Sequence, residues 1–437
     1  MPNPLTYAWT RLRSAATRSY SLPAPLSWRL LLPDRATAVQ RAMLLEYLQT
    51  GNTFARLFDL GLALIFWPWK SLRRAWTLTR LHARKVSRFR SRPLQFLQQI
   101  WLAWCHGVSP DMYYQMGMAM SPSPIRPMEW MQNGHASLLS RVFRKDKKLL
   151  EINDKLLFAE IMRKHNVATP DILGVFADGK PAGPTTGLQL LEALNRRNDL
   201  YVKPIRASVG LNQLLLRRQD DGAWACTPST YSSPRFSSTL AKFGKQSLET
   251  SQIYRLMCHL SSVCPLIIQP RLVNHPNLPD LGGPALQAVR ILSGMRGQEV
   301  VILRALLRLP FRDQIASQWG VNSAVDLETG LLGSTFEDYP DPSVSERFSP
   351  EGPVIVGFQV PCWPETLSLV SRAHLALPDY SFLGWDIAIT PTGPAVIEAN
   401  GNYGFSSLQK PSSAPIIDEK FLSVFEYWAN RPKAELS

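Results

Sequence analysis

Apolar and polar residues alternate with period two over 385–390 and again over 395–400. The four residues between them, Pro391, Thr392, Gly393 and Pro394, have the composition of a turn, so the pattern predicts a β-hairpin. One parity set, Trp385, Ile387, Ile389, Ala395, Ile397 and Ala399, is wholly apolar; the other holds Asp386, Ala388, Thr390, Val396, Glu398 and Asn400. Pairing residues of equal parity, with Asp386 opposite Glu398 or Asn400, gathers two carboxylates and an amide at one end of the ribbon. Such hard oxygen donors suit Mg²⁺. Strand patterns also cover 287–294 and 299–306, joined by a glycine-containing turn, and 324–332 reads as strand, turn and strand. Arg290, Arg304 and Arg308 interrupt these apolar runs. A guanidinium there needs an anion, either a phosphoryl group in a cleft or an internal carboxylate.

Upstream, the period changes. Residues 154–165 form an amphipathic helical pattern behind an Asn153–Asp154 cap, and Thr169-Pro170 leads into a strand ending near Phe176. A second helix is expected over 188–197 and a second strand over 199–205, carrying Lys203. The loop Arg206, Ala207, Ser208, Val209 and Gly210 is small enough to bring backbone N–H groups against phosphate oxygens. A strand follows at 211–217, and another, 267–270, after a helix.

The first 150 residues read as mostly helical, without the strand–helix alternation of a small α/β domain. Residues 57–69 are the most hydrophobic stretch, but thirteen residues including Asp59 are too few to cross a bilayer, which takes about 20. A run of Lys and Arg interleaved with Trp76, Leu78, Leu81 and Phe89 comes next. Of the net charge of +14, the first 150 residues contribute 22 basic against 6 acidic side chains and the remainder 26 against 28. Two readings fit this third: helices packed on the rest of the chain, or peripheral contact with an anionic membrane or a membrane-bound partner. Nucleic acid fits less well, since no zinc spacing, helix-turn-helix signature or aromatic RNA-binding motif accompanies the charge.

With 437 residues, 45% hydrophobic and 19% charged, the chain is long enough for two or three globular domains, expected at 1–150, 151–270 and 271–437. Five scattered cysteines, none in a Cys-x-x-Cys pair, argue for reduced thiols in a cytoplasmic setting rather than a disulfide framework or zinc site. The first residues lack a charged start followed by an apolar run, so no secretory leader is expected.

Asp386 followed a dozen residues later by Glu398-x-Asn400 resembles the metal-binding signature of the ATP-grasp superfamily, which includes D-alanine ligase and glutathione synthetase. The order of Asp-Lys helix, Thr-Pro strand, Val-Lys-Pro strand, small-residue loop and Ile-Ile-Gln-Pro strand is similar to the nucleotide lid of that superfamily. The resemblance implies an α/β fold of ATP-grasp type with a mostly helical, basic N-terminal extension. It implies ATP and two Mg²⁺ ions, with Mn²⁺ a substitute: Asp386 holding one ion, Glu398 bridging both and Asn400 completing the second. Lys155 and Lys203 would contact the α- and β-phosphates, Ser208, Val209 and Gly210 would close over the phosphate tail, and Gln269, Pro270, Arg271 and Leu272 would line the adenine slot. His275 is assigned to ribose, Arg290 to the transferring γ-phosphate, and Arg304 to catalysis beside it. The strands around Arg290 and 324–332 resemble the sugar-transfer-associated branch. That implies a carboxylate–amine or carboxylate–nucleophile ligase working through an acylphosphate on a small-molecule or saccharide carboxylate, in cell-surface polysaccharide or amino-sugar modification. The alternatives are a phosphotransferase acting on a hydroxyl and a membrane-associated scaffold with a vestigial nucleotide site. Ala316-Ser317-Gln318 departs from the branch, where an acidic or amide residue is expected directly before the loop at 319–323.

Overall fold

The computed structural model describes residues 22–143, 150–182, 192, 196–207, 210–244, 247–317, 320–337 and 341–431. The N-terminal third is helical, as its pattern predicts. Helix α1 (Arg35–Gln49) starts where the Asp34 carboxylate accepts from the Thr37 N–H at 2.8 Å. Helix α2 (Thr53–His82) starts where the Asn52 side chain accepts from the Ala55 N–H. Helix α3 (Arg92–His106) ends at Gly107, whose φ of 63° is the left-handed conformation that glycine adopts without strain. Helices α2 and α3 run antiparallel, since the Trp67 indole donates to Ala103 O at 2.7 Å and the Gln99 amide to Thr79 Oγ1 at 2.9 Å. No helix among the described residues is long and apolar enough to cross a membrane.

The middle of the chain builds a six-stranded antiparallel sheet. Helix α4 (Lys155–Lys164) is capped by Asp154, which accepts from the Leu156 and Leu157 N–H groups. Strands β1 (Gly174–Ala177), β2 (Lys180–Ala182), β3 (Asp199–Pro204), β4 (Leu214–Arg218), β5 (Trp224–Pro228) and β6 (Leu266–Pro270) lie in the order β2-β1-β6-β3-β4-β5. Helices α5 (Pro234–Phe243) and α6 (Thr250–Ser261) cover one face, where Leu200, Val202, Leu214 and Leu216 meet Ile253, Leu256 and Leu260. The helix expected over 188–197 lies largely outside the described residues, as do Ser208 and Val209.

A seven-stranded antiparallel sheet forms the second half. Its strands are β7 (Ala288–Arg296), β8 (Glu299–Pro310), β9 (Gly320–Val325), β10 (Leu332–Glu337), β11 (Val344–Ser345), β12 (Phe382–Thr390) and β13 (Gly393–Asn400), in the order β11-β10-β9-β8-β7-β12-β13. Helix α7 (Trp363–Leu375) packs on one face with Val289, Ile291, Trp385, Ile387 and α4. On the other face, Leu292, Leu306 and Phe382 meet helix α8 (Glu419–Ala429) and, from the N-terminal third, Val39, Met43 and Leu139. Helix α1 and the seven-stranded sheet therefore share one core, while α2 and α3 pack in clusters of their own. Arg35 adds ion pairs to Glu419 and Glu426 at 2.8 and 2.5 Å, both at the surface and therefore minor in energy.

The hairpin is tighter than its sequence suggests. Thr390 pairs with Gly393, leaving only Pro391 and Thr392 in the turn, and Gly393 takes a φ of 110°. Asp386 faces Glu398 as expected, but a bulge follows, and Ile387 pairs with Val396. Val396 thus enters the core, and Ile397, expected there, is turned to the opposite face.

Because Met43 is fully buried in the shared core, Met43→Ala should destabilise the protein by about 2–5 kcal/mol. The check is urea denaturation followed by circular dichroism, in which the seven-stranded sheet should lose stability along with helix α1 in one transition.

Candidate active site

Along the face of the catalytic sheet that bears Leu292 and Phe382, the apolar pattern gives way to charge. Ala288, Arg290, Arg308 and Asp386 form the floor of a cavity of about 540 Å³, and β3, β6 and the residue before β4 supply the opposing wall with Tyr201, Lys203, Gln269 and Gln213. The cleft thus lies between the two sheets. Glu398, Asn400 and Asn402 from β13 and the following loop line it as well.

Arg290 and Asp386 are cross-strand partners on β7 and β12. The guanidinium donates from Nε and Nη2 to the two carboxylate oxygens at 2.5 and 2.6 Å, a bidentate pair with both side chains about nine-tenths buried. Burial alone would raise the Asp386 carboxyl; the charge and hydrogen bonds of Arg290, helped by Arg308, outweigh it and hold the group below the usual carboxylate range. Asn400 Nδ2 lies 3.4 Å from Asp386 Oδ2 and 3.3 Å from Glu398 Oε1, so both carboxylates converge on one amide.

Facing them, Lys203 is 6% exposed. Burial pushes its ammonium down to about 8, the Lys155 charge acts in the same direction, and Glu398 opposes both. Lys155 donates from Nζ to Ala207 O at 2.9 Å, and burial lowers it too, against Glu398 and Asp154. Lys155, expected at the phosphates, does not line the cavity, although its charge acts on Lys203; Lys203 alone faces the two carboxylates across it, an arrangement that could take a polyanion at the lysine and a divalent cation at the oxygens.

The strap after β6, Gln269, Pro270, Arg271 and Leu272, lines the cavity. Arg271 is bolted to β3 through Asp199 at 2.9 Å and donates to Pro284 O at 2.7 Å. Gly210 reaches the cavity as well, with a φ of 65°.

Two further assignments need correction. Arg304 does not reach the cavity. It lies four residues from Arg308 along β8, about 13 Å, over the start of α8, where it pairs with Asp418 at 2.9 Å and donates to Pro415 O at 3.2 Å. The internal salt bridge is its anion. His275 also lies outside the lining: its backbone N–H donates to Ile389 O at 2.8 Å, and its ring Nδ1 accepts from the Asn277 N–H. Arg290 lines the cavity, but its Nε and Nη2 are committed to Asp386 rather than to an open phosphate position.

Tyr201 and Gln213 were missed. Tyr201 shares a face of β3 with Lys203, two residues on, so strand parity was the signal for it; its hydroxyl donates to Gln213 Oε1, and burial raises it. Gln213 precedes β4 in a stretch without clear alternation, and no sequence signal marked it.

A family described as sugar-transfer associated ATP-grasp has a model that matches residues 135–420, two-thirds of the chain. The chain belongs to this family. A comparison with curated proteins gives no match. Among solved structures, the chain is similar to carboxyaminoimidazole ribonucleotide synthase from Aspergillus clavatus complexed with ATP, at 11% identity over 61% of this chain and 52% of that one, TM-score 0.32. It is similar to D-alanine–D-alanine ligase from Bacillus anthracis at 15% identity over 65% and 70%, TM-score 0.33. It is also similar to the biotin carboxylase domain of Hydrogenobacter thermophilus 2-oxoglutarate carboxylase, in complex with MgADP, ADP and bicarbonate, at 11% identity over 62% and 50%, TM-score 0.34. The chain spans about half the length of the first and third of these. The ATP-grasp match opens at His135, so it takes in the helix Ala136–Val142, which packs in the core shared with the catalytic sheet.

Lys203 sheds its proton as pH rises through about 8. Binding of ATP in chelator, where lysine charge is the main attraction, should therefore weaken roughly eightfold between about pH 7.5 and 9. Calorimetric titration checks this, and Lys203→Ala should bind weakly at both pH values without the step.

Proposed function

We propose that the chain is an ADP-forming ATP-grasp ligase that activates a carboxylate as an acylphosphate and passes it to an amine or another nucleophile. One observation carries the reading: a single cavity sets Lys203 opposite Asp386, Glu398 and Asn400, with Arg290 and Arg308 in its floor. Family membership supports it as well.

The donor set fits magnesium, because the two neighbouring carboxylates, both reached by the Asn400 amide, offer hard oxygens and leave the remaining positions to phosphate and water, with Asn400 turning Oδ1 in place of Nδ2 to join them. Asp386, Glu398 and Asn400 would hold the metal, and a second ion would share Glu398. When bound, the metal neutralises charge on the triphosphate and draws electron density from the transferring phosphorus.

The protein's own groups do the rest. Lys203 neutralises the phosphate chain from the lid side, and Lys155, outside the lining, adds positive charge close to it. The burial of Lys203 strengthens that attraction by lowering the dielectric around it. Arg290 keeps Asp386 ionised and fixes its two oxygens. Arg308, further along the floor, takes the place first assigned to Arg304, facing charge that develops on the γ-phosphoryl group. A substrate carboxylate oxygen attacks the γ-phosphorus as the bond to ADP breaks. The nucleophile then attacks the acyl carbon, and inorganic phosphate leaves. The carboxylate acceptor would be a small molecule or saccharide, consistent with the family's sugar-transfer association, and Asn402 and Ser317 line the cavity where it would sit.

Hydroxylamine trapping tests this reading. With ATP, Mg²⁺ and pools of uronic acids, amino acids and acidic saccharides, one pool should give hydroxamate together with ADP, because hydroxylamine intercepts an acylphosphate. Lys203→Ala and Arg308→Ala should each lower the yield by about 10²-fold or more, on the scale of a lost electrostatic contact to the transferring group. ADP formation without hydroxamate, with phosphate on an acceptor hydroxyl, would replace the ligase by a phosphotransferase.

A further inference from the structure

The basic N-terminal third contributes little to the cavity, yet it carries an unusual surface. Among the described residues, all five exposed tryptophans lie in it: Trp28, Trp69, Trp76, Trp101 and Trp104. On α2, Phe54, Phe58, Ile65, Trp69 and Trp76 recur in steps of four or seven residues, which places them on one face of the helix. Phe54 is 78% exposed, Ile65 71% and Trp69 68%. The opposite face of α2, with Leu60, Trp67, Ala75 and Leu78, is buried against the protein.

Helix α3 presents a second exposed apolar row, Leu94, Leu97, Trp101 and Trp104, again at steps of three and four. Direct contacts join the two helices. The Trp104 indole donates to Ser71 Oγ at 3.0 Å, the rings of Trp76 and Phe96 meet edge-on at 6.0 Å, and Trp28 and Trp101 both stand against His106, at 6.2 and 4.7 Å. From Phe54 to Trp76 the stripe runs about 33 Å along the helix, so it is a line lying flat rather than a plug.

Charge decides what covers it. Residues 53–92 hold ten Lys and Arg against a single acid, Asp59. Arg74 and Lys85 are engaged by Asp111 and Asp341, while Arg73, Arg80 and Arg84 are exposed at steps of seven and four along the border of the apolar stripe. A second copy of the chain would bring like charges face to face. A bilayer with anionic headgroups answers both features, since indoles sit at the headgroup level, aliphatic side chains reach the acyl boundary and arginines meet phosphates.

We propose that the outer face of α2 and α3 docks flat on an anionic lipid bilayer. Because these helices continue into a region that shares a core with the catalytic sheet, docking would bring the cleft to the membrane surface.

The test is flotation of the full chain with vesicles of phosphatidylcholine alone or with about one-third phosphatidylglycerol. Binding should appear only on the anionic vesicles and fall at least about fivefold when salt is raised from about 50 to 500 mM. The variant Ile65→Ser/Trp69→Ser/Trp101→Ser and the variant Arg73→Ser/Arg80→Ser/Arg84→Ser should each lose about tenfold in bound fraction while melting like the parent, since the changed side chains are exposed or only bordering. Four results would overturn the proposal: no binding to anionic vesicles at low salt, equal binding to both vesicle types, unchanged binding by both variants, or a dimer in light scattering that the apolar variant dissolves. Binding that appears only after residues 1–21 are removed would equally overturn it, by assigning the face to that segment.

Discussion

Arg290 and Asp386 face each other across β7 and β12, and the character of the cleft follows from that pairing. A carboxylate buried this deeply would protonate without a partner, and an arginine in an apolar strand would have no reason to be there. Together they form a pair that is neutral overall but keeps the carboxylate ionised and in a fixed orientation inside the sheet. Such a pair is a weak contributor to net stability, but removing either member leaves a stranded charge at about 3–5 kcal/mol. Its value lies in what it holds ready: an ionised, oriented carboxylate next to Glu398 and across the cavity from Lys203.

The rest of the architecture can be traced outward from that pair. Along the same sheet face, Leu292, Leu306 and Phe382 belong to a core filled by α8 and helix α1, whereas Ala288, Arg290 and Asp386 are left for the cavity. One face therefore serves two purposes, depending on whether helices or the lid sheet lies over it. The opposite face is apolar throughout the centre, where Val289, Ile291, Trp385 and Ile387 anchor the strands against α7. The buried contact of Ser293 Oγ with His374 Nδ1 at 2.8 Å, and the Trp385 indole donating to the same hydroxyl at 2.8 Å, satisfy the polar atoms of that packing.

Much of this was legible in the chain because period-two alternation marks both strand and face. Asp386 opposite Glu398, the lid order, Lys203 and the strap at 269–272 all follow from pattern and resemblance. The bulge was not legible, because Val396 and Ile397 are both apolar and either can fill the core; only the three-dimensional register selects Val396. Arg304 and Arg308 share a strand face, and sequence does not say at which rung the covering helices end and the cleft begins. Asp418, 114 residues away, decides it by pairing with Arg304. Tyr201 was available by parity with Lys203. The joining of helix α1 to the catalytic core was invisible for the same reason as Arg304: amphipathic period reveals a buried face but not its partner.

The central claim is that an ionised Asp386 gives the cleft its affinity for metal-bound nucleotide. Calorimetric titration of ATP into the full chain, once with Mg²⁺ and once with chelator, for the parent and for Asp386→Asn, measures that directly. Asparagine keeps the shape and removes the charge. In the parent, Mg²⁺ should tighten ATP binding by at least about tenfold; in Asp386→Asn that gain should vanish while binding in chelator persists, which also reports an intact fold. An Asp386→Asn protein that retains the whole Mg²⁺ gain would contradict the account.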